Sequence, residues 1–153
     1  NLAVSLSNGN KDLKILPRNV LLIDLDPKGN VATTFGIDKK TIGLTMNELF
    51  KGGMEGEKVD IAEFLISPQK ITKSMIGAWE KHNPDKIRGA TKNIVINNLW
   101  LLPADLELAG IEIDLATRIG RENRLKIAIE DIKNKFDVII IDTPASLGLL
   151  TIN

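Results

Sequence analysis

Three aspartates, Asp24, Asp26 and Asp142, stand at the ends of two short apolar runs, and together they have the chemistry to hold a divalent cation and the phosphates it carries. The first run is Val20-Leu21-Leu22-Ile23-Asp24-Leu25-Asp26-Pro27 and the second is Phe136-Asp137-Val138-Ile139-Ile140-Ile141-Asp142-Thr143-Pro144. Each is a continuous Leu-rich or β-branched stretch, the pattern of a strand buried on both faces of a parallel sheet. Each then breaks at proline. Open α/β sheets bind ligands just beyond the carboxyl ends of their strands. If the two strands are neighbours, the three carboxylates converge at one edge of the sheet. Residues two apart on a strand face the same side, so Asp24 and Asp26 can approach one site if the strand persists that far. Gly29 permits close backbone approach to a ligand. The plainer alternative is that strand-end aspartates cap the following turn or helix. A hydrophobic strand ending in aspartate is also how many nucleotide hydrolases hold magnesium, usually through a bound water.

The elements that must position these residues follow from the pattern between them. Residues 1–7 read as the tail of a helix closed by Asn8-Gly9-Asn10, and a polar connector with Pro17 leads to the first strand. Asp26-Pro27-Lys28-Gly29-Asn30 is a turn by composition. Short helices are expected over Val31–Phe35 and Thr45–Phe50, the second with Thr45 and Asn47 as candidate caps. Lys51 to Gly56 reads as a flexible break. From Val59 to about Gly89 a weak helical pattern is interrupted at Pro68 and Pro84. Ile94–Ile96 and Leu99–Leu102 read as short strands. Asp105–Thr117 predicts a helix with Leu106, Ala109, Gly110, Ile113 and Ala116 on its inner face. Arg121–Lys135 predicts another, with Leu125, Ile129 and Ile132 inward. Strands alternating with helices give an α/β fold with a mostly parallel sheet flanked by helices.

The composition narrows the class. The 153 residues suit one domain, with 43% hydrophobic and 26% charged residues as in an ordinary globular protein. Twenty basic residues balance twenty acidic ones, so the overall charge points to no particular partner. There is no cysteine, hence no disulfide, no thiolate nucleophile and no Cys-based zinc site. No apolar run approaches the roughly 18 to 20 residues of a membrane span. The chain starts at Asn1 in what reads as mid-helix and stops at Asn153 early in another, so it is expected to be a piece of a longer sequence.

At the level of motifs the chain resembles the ParA/MinD family of deviant Walker ATPases. Val20 to Asn30 resembles the family's second motif, with Lys28 where Gln is frequent. Asn98-Leu99-Trp100-Leu101-Leu102-Pro103-Ala104-Asp105 with Leu108-Ala109-Gly110-Ile111-Glu112 resembles the next stretch. Phe136 to Gly148, followed by Leu150-Thr151-Ile152-Asn153, resembles the Walker B strand and the helix after it. The three matches fall in the family's order, and the last two point to the ParA (Soj-like) branch of chromosome and plasmid partition.

The resemblance implies a P-loop NTPase-like sheet, incomplete at both ends here, in a single partial domain over 1–153 with a helical insertion at about 52–93. It implies ATP and Mg2+ as cofactors and ATP hydrolysis by the intact protein. Asp26 would orient the attacking water, Asp142 would hold magnesium through its water shell, and Asp24 would support the metal and phosphate site. Gly29 would lie against the nucleotide, and Pro144 would belong to a switch segment. Implied partners are a ParB-like centromere-binding protein, non-specific DNA and a second copy in a nucleotide-sandwich homodimer, in the cytoplasm on the nucleoid and without a membrane. The Gly-rich loop with two lysines is absent from these residues, and Lys51-Gly52-Gly53 does not replace it, so the fragment alone is expected to be inactive. Ala145 stands where the family usually has a second proline. A non-catalytic scaffold of the same fold and a MinD-like positioning ATPase are the alternatives.

Other polar residues read more plainly. His82 belongs to a solvated helix end. Lys70, Lys73, Lys81, Lys86, Arg88 and Lys92 form a basic stretch, either a solvated face or a contact to DNA phosphates. Arg118, Arg121 and Arg124 recur at a spacing that shares one side of a helix.

Overall fold

The computed structural model describes residues 2–12, 14–56, 59–85 and 91–153. Three strands form a parallel sheet in the order β2-β1-β3, with β1 at Val20–Asp24, β2 at Leu99–Leu102 and β3 at Val138–Asp142. The register runs from Val20 opposite Leu99 to Ile23 opposite Leu102 on one side of β1. On the other side it runs from Val20 opposite Val138 to Asp24 opposite Asp142. Parallel neighbours need long crossovers. The chain supplies them as helices α2 (Asn30–Thr34), α3 (Met46–Glu55) and α4 (Pro68–His82) between β1 and β2. Helices α5 (Leu108–Ala116) and α6 (Arg124–Ile129) connect β2 to β3. Helix α1 (Leu2–Asn8) precedes the sheet and α7 (Leu149–Ile152) follows it.

Because side chains alternate along a strand, β1 feeds two cores. Leu21 and Ile23 pack with Leu49 and Phe50 of α3, Leu108, Ile111 and Leu115 of α5, Leu125 of α6 and Leu150 of α7. Val20 and Leu22 pack with Ala3 of α1, Ala32 of α2 and Ile71 of α4 on the other face. The α/β reading with a helix-flanked parallel sheet is therefore what the chain forms. Trp100 of β2 lies half-buried and edge-on to Phe136, with ring centroids 5.5 Å apart.

Several expectations are corrected. Burial on both faces holds for β1, where all five residues are buried, but not for β3, where Val138 to Ile140 are half-buried and Ile141 and Asp142 are exposed. The cause is position: β3 is an edge strand, paired only with β1. The opposite edge, β2, is partly covered, since Ile66 and Leu101 exchange backbone hydrogen bonds of 2.8 and 3.1 Å. Ile94–Ile96 is not a strand. Ile96 N–H donates to Thr72 Oγ1 at 2.9 Å, so that segment docks on α4 instead of extending the sheet. Lys51 to Glu55 is helix, not a flexible break, because a capping box at Thr45 starts α3 and Gly56, at φ 77°, ends it. Pro68 opens α4 rather than interrupting it, with Ser67 as cap, since a first-turn proline has no hydrogen bond to lose. Helix α5 turns its other face inward: Leu108, Ile111 and Leu115 are buried, while Leu106 is 76% and Ile113 74% exposed. Its start at Leu108, three residues after the expected one, and apolar residues on all sides let packing choose the face. The expected Arg121–Lys135 helix is shorter, with 3₁₀ turns at Arg121–Asn123 and Lys133–Lys135 around α6. Leu125 and Ile132 do point inward.

Candidate functional site at the carboxyl ends of the strands

Strand β1 ends at Asp24, and the chain turns at once. Asp26 Oδ1 accepts from Lys28 N–H at 3.0 Å, and the Asp26 carbonyl accepts from Gly29 N–H at 2.8 Å. This is the Asx-type turn that Asp-Pro-x-Gly favours. Gly29 sits at φ 59°, and a Cβ there would lie 2.6 Å from the Ala104 carbonyl oxygen. The glycine thus allows the turn to press on the segment leaving β2. The Lys39 ammonium donates to the Lys28 carbonyl and holds the turn from the other side.

Asp24 is wholly buried and faces this turn. One carboxylate oxygen accepts from Asp26 N–H at 3.0 Å and the other from Val31 N–H at 3.3 Å, at the start of α2. Burial pushes its pKa up to about 6. The two backbone hydrogen bonds oppose that rise, and the charges of Asp142 and Asp26 add to it. Asp142 lies level with Asp24 across the β1–β3 ladder, exposed, and its carbonyl accepts from Leu25 N–H at 2.8 Å.

The two aspartate strands are neighbours, but the three carboxylates do not form one open cluster. Among the described residues no group of three acidic or histidine side chains is arranged to hold a metal unaided. The reason is that Asp24 turns inward onto backbone donors, whereas Asp26 is half-buried and Asp142 faces solvent. Two accessible carboxylates beside an anion-bearing ligand still suit magnesium, which is commonly held by one or two carboxylates plus phosphates and water. Pro144 is half-buried just past β3, in a segment that reaches Gly148, whose backbone lies against the Glu112 carboxylate of α5.

One neighbouring network was only half legible in sequence. Thr45 caps α3, whereas Asn47, the other candidate, sits inside the first turn, where its N–H donates to Thr45 Oγ1 at 3.2 Å; Thr45 also reaches beyond its own helix. Its hydroxyl lies 2.7 Å from both Glu48 Oε2 and Asp105 Oδ2, and Asn47 Nδ2 donates to Glu107 Oε2 at 3.1 Å. Met46 N–H donates to the Pro103 carbonyl at 2.8 Å. The start of α3 is thereby pinned to the segment after β2, at the same end of the sheet as Asp26. Thr45-x-x-Glu48 is the sequence signal of a capping box, but nothing local marks Asp105 as its third member.

The arginine row does not form a shared face. Arg124 donates to the carbonyls of Gly53 and Ile119, and Arg121 to that of Ala116. Ala116 and Ile119 lie at the break between α5 and α6, and through Gly53 Arg124 also ties that break to α3. His82 is exposed, as expected, with Nδ1 on the Ala78 carbonyl at 2.7 Å. Of the basic stretch, Lys70, Lys73, Lys81 and Lys92 are exposed, and Lys86 and Arg88 lie outside the described residues. No described helix is long and apolar enough to cross a membrane.

Comparison with known proteins matches this arrangement to a family. A family model described as an AAA domain matches residues 1–153. The chain is 36% identical over 141 residues to the sporulation initiation inhibitor protein Soj of Bacillus subtilis (strain 168), covering 92% of the chain and 44% of that protein. It is 31% identical over 153 residues to the chromosome partitioning protein ParA of Myxococcus xanthus (strain DK1622), covering 100% of the chain and 41% of that protein. It is also similar to the crystal structure of cobyrinic acid a,c-diamide synthase from Mycobacterium smegmatis with bound ADP and magnesium. That match has a TM-score of 0.61 and 33% identity, over 89% of the chain and 42% of that structure. The chain spans less than half the length of these relatives. Matched along its whole length by the family model, and carrying the aspartate-ended strands side by side in one parallel sheet, the chain belongs to the ParA/MinD family of P-loop NTPase-like partition ATPases.

Proposed function

We propose that this chain carries the magnesium-holding and water-orienting part of the ATP-hydrolysing site of a ParA-type DNA-partition ATPase. The observation that carries the reading is the β1–β3 register, which sets Asp142 level with Asp24 and brings the Asp26 turn to the same end of the sheet. Bound Mg2+ would neutralise charge on the ATP phosphates. The chain's own residues then have separate tasks. Asp142, exposed at the strand end, would hold the ion through its water shell. Asp26 uses Oδ1 on Lys28 N–H, so its other oxygen would accept a hydrogen bond from the attacking water and orient it. Asp24 takes the backbone N–H groups of Asp26 and Val31 and so fixes where Asp26 points. Gly29 keeps the turn pressed on Ala104, and Pro144 begins the segment that would respond to nucleotide and to a second copy in a homodimer. Phosphoryl transfer depends mainly on such positioning and charge stabilisation. In the intact protein this site would work with a ParB-like partner that stimulates hydrolysis. The 153 residues contain no Gly-rich lysine loop to cradle a triphosphate, so turnover belongs to the intact protein.

The test is the magnesium dependence of ATP turnover by the intact protein. Asp142→Asn keeps the side chain's shape but removes its charge. The Mg2+ concentration for half-maximal turnover is expected to rise about tenfold or more, as loss of charge at a metal-holding group does. An unchanged Mg2+ requirement would remove Asp142 from the site. No ATP turnover by the wild-type intact protein would favour the scaffold reading.

A further inference from the structure

The turn that carries Asp26 is held from two directions by hydrogen bonds and from a third by packing. Asp24 accepts the N–H groups of Asp26 and Val31, and the Lys39 ammonium donates to the Lys28 carbonyl. Toward β2 the turn is seated on the main chain of Ala104. Gly29 makes that seat possible, since a Cβ there would stand 2.6 Å from the Ala104 oxygen and 3.3 Å from its carbonyl carbon. A packed contact has no directional preference of its own. The turn therefore settles where Ala104 lets it settle.

Ala104 is 1% exposed, and its place is set from α3. The last rung of the β1–β2 ladder pairs Ile23 with Leu102, so Pro103, Ala104 and Asp105 lie beyond the sheet's own hydrogen bonding. Met46 N–H donates to the Pro103 carbonyl at 2.8 Å, one residue before Ala104. Thr45 Oγ1 lies 2.7 Å from Asp105 Oδ2, one residue after it. These two bonds bracket Ala104. The anchor is firm, because α3 is capped at its start and sends Leu49 and Phe50 into the core. The two oxygens of Asp105 have separate tasks. Oδ1 accepts from Glu107 N–H at 2.9 Å and shapes the approach to α5, while Oδ2 ties the segment to α3.

We propose that Asp105 is a positioning residue for Asp26: its tie to Thr45 fixes Ala104, and Ala104 fixes the Asp26 turn through Gly29. The proposal rests on the reading of Asp26 as the group that orients the attacking water. Such a group is sensitive to placement, and a shift of about 1 Å can cost about a hundredfold in rate. Two substitutions separate the tasks of Asp105. In Asp105→Asn the amide oxygen keeps Glu107 N–H, the amide nitrogen donates to Thr45 Oγ1, and the Thr45 hydrogen goes to Glu48 Oε2, which already lies 2.7 Å away. The tie survives without the charge. In Asp105→Ser the hydroxyl still accepts from Glu107 N–H, as serine does in such turns, but it is too short to reach Thr45. The turn toward α5 survives without the tie.

The test pairs steady-state ATP turnover of the intact protein with amide hydrogen exchange over residues 25–31, measured without nucleotide. Asp105→Ser is expected to lower kcat about tenfold to a hundredfold, with KM for ATP within about threefold of wild type. It should also speed exchange over 25–31 by about threefold or more. Asp105→Asn should match wild type in both readouts. Ser67→Ala, which removes the cap of α4 on the opposite face of the sheet, should lose stability yet keep wild-type kcat and exchange in that segment. In an Asp26→Ala background, Asp105→Ser should lower kcat by less than about twofold more, because nothing is left for it to position. Wild-type kcat and exchange in Asp105→Ser would overturn the proposal. So would equal losses in the serine and asparagine variants, or an undiminished loss in the Asp26→Ala background. Wild-type turnover in Asp26→Ala alone would instead remove the reading of Asp26, and the exchange result would still decide whether Asp105 holds the turn.

Discussion

Asp24 has no exposed surface, yet both its oxygens accept backbone N–H groups, so the fold uses it as a carboxylate. Its ordinary pKa is 3.8 and burial raises it to about 6 in the fold. Between those two values the folded chain holds a proton that the unfolded chain has lost. Stability contributed by the protonated form is complete below the lower value, declines as pH rises through about 6, and is flat above. The full decline is on the order of 3 kcal/mol. Urea unfolding from pH 4 to pH 7.5 should show this fall in the wild type, and the difference curve against Asp24→Asn should isolate it. The variant is less stable in absolute terms, because an amide offers one acceptor where two N–H groups wait. Parallel pH curves for the two proteins would show that Asp24 does not titrate as described. The identity of the three aspartates was legible in sequence from the apolar runs they close. The inward turn of Asp24 was not, because the side chain at a strand's last residue follows the path the chain takes next, and here Pro27 and Gly29 decide that path.

Among the elements, α3 shows best how a local signal is completed at long range. Its capping box, Thr45 with Glu48, satisfies donors at the helix start. The same hydroxyl reaches Asp105 and ties α3 to the exit of β2. Burial pushes the Glu48 carboxyl up, but hydrogen bonds from Thr45 and Asn47 outweigh it and hold the pKa below the usual value. Thr45→Ala should lower stability by about 1 to 2 kcal/mol, read as a shift of the urea midpoint, and Thr45→Ser should recover most of it. No difference between alanine and serine at this position would contradict the account. Helix α5 shows the opposite lesson. Its sequence is apolar on every side, so periodicity offered a plausible face, Leu106, Ala109, Gly110, Ile113 and Ala116, and packing selected Leu108, Ile111 and Leu115. Existence and order of the helices were legible, whereas the inner face of an evenly apolar helix is a tertiary outcome.

At the scale of the whole molecule, the sheet order β2-β1-β3 is what joins the distant motifs. Asp24 and Asp142 are far apart in sequence, and only the pairing of β1 with β3 makes them level. The alternation of strand and helix foretold a parallel sheet, and the order of family-like motifs foretold the family. The half-exposed β3 could not be foretold, since an edge strand and a central one carry the same apolar run. The sheet brings Asp24, Asp142 and the Asp26 turn to one end. The most direct test of the central claim is ATP turnover and ATP binding measured together on the intact protein carrying Asp26→Ala. Turnover should fall at least a hundredfold, the scale on which a group that positions the attacking nucleophile acts, while the affinity for ATP stays within about threefold of wild type. Turnover at the wild-type rate in Asp26→Ala would contradict the account.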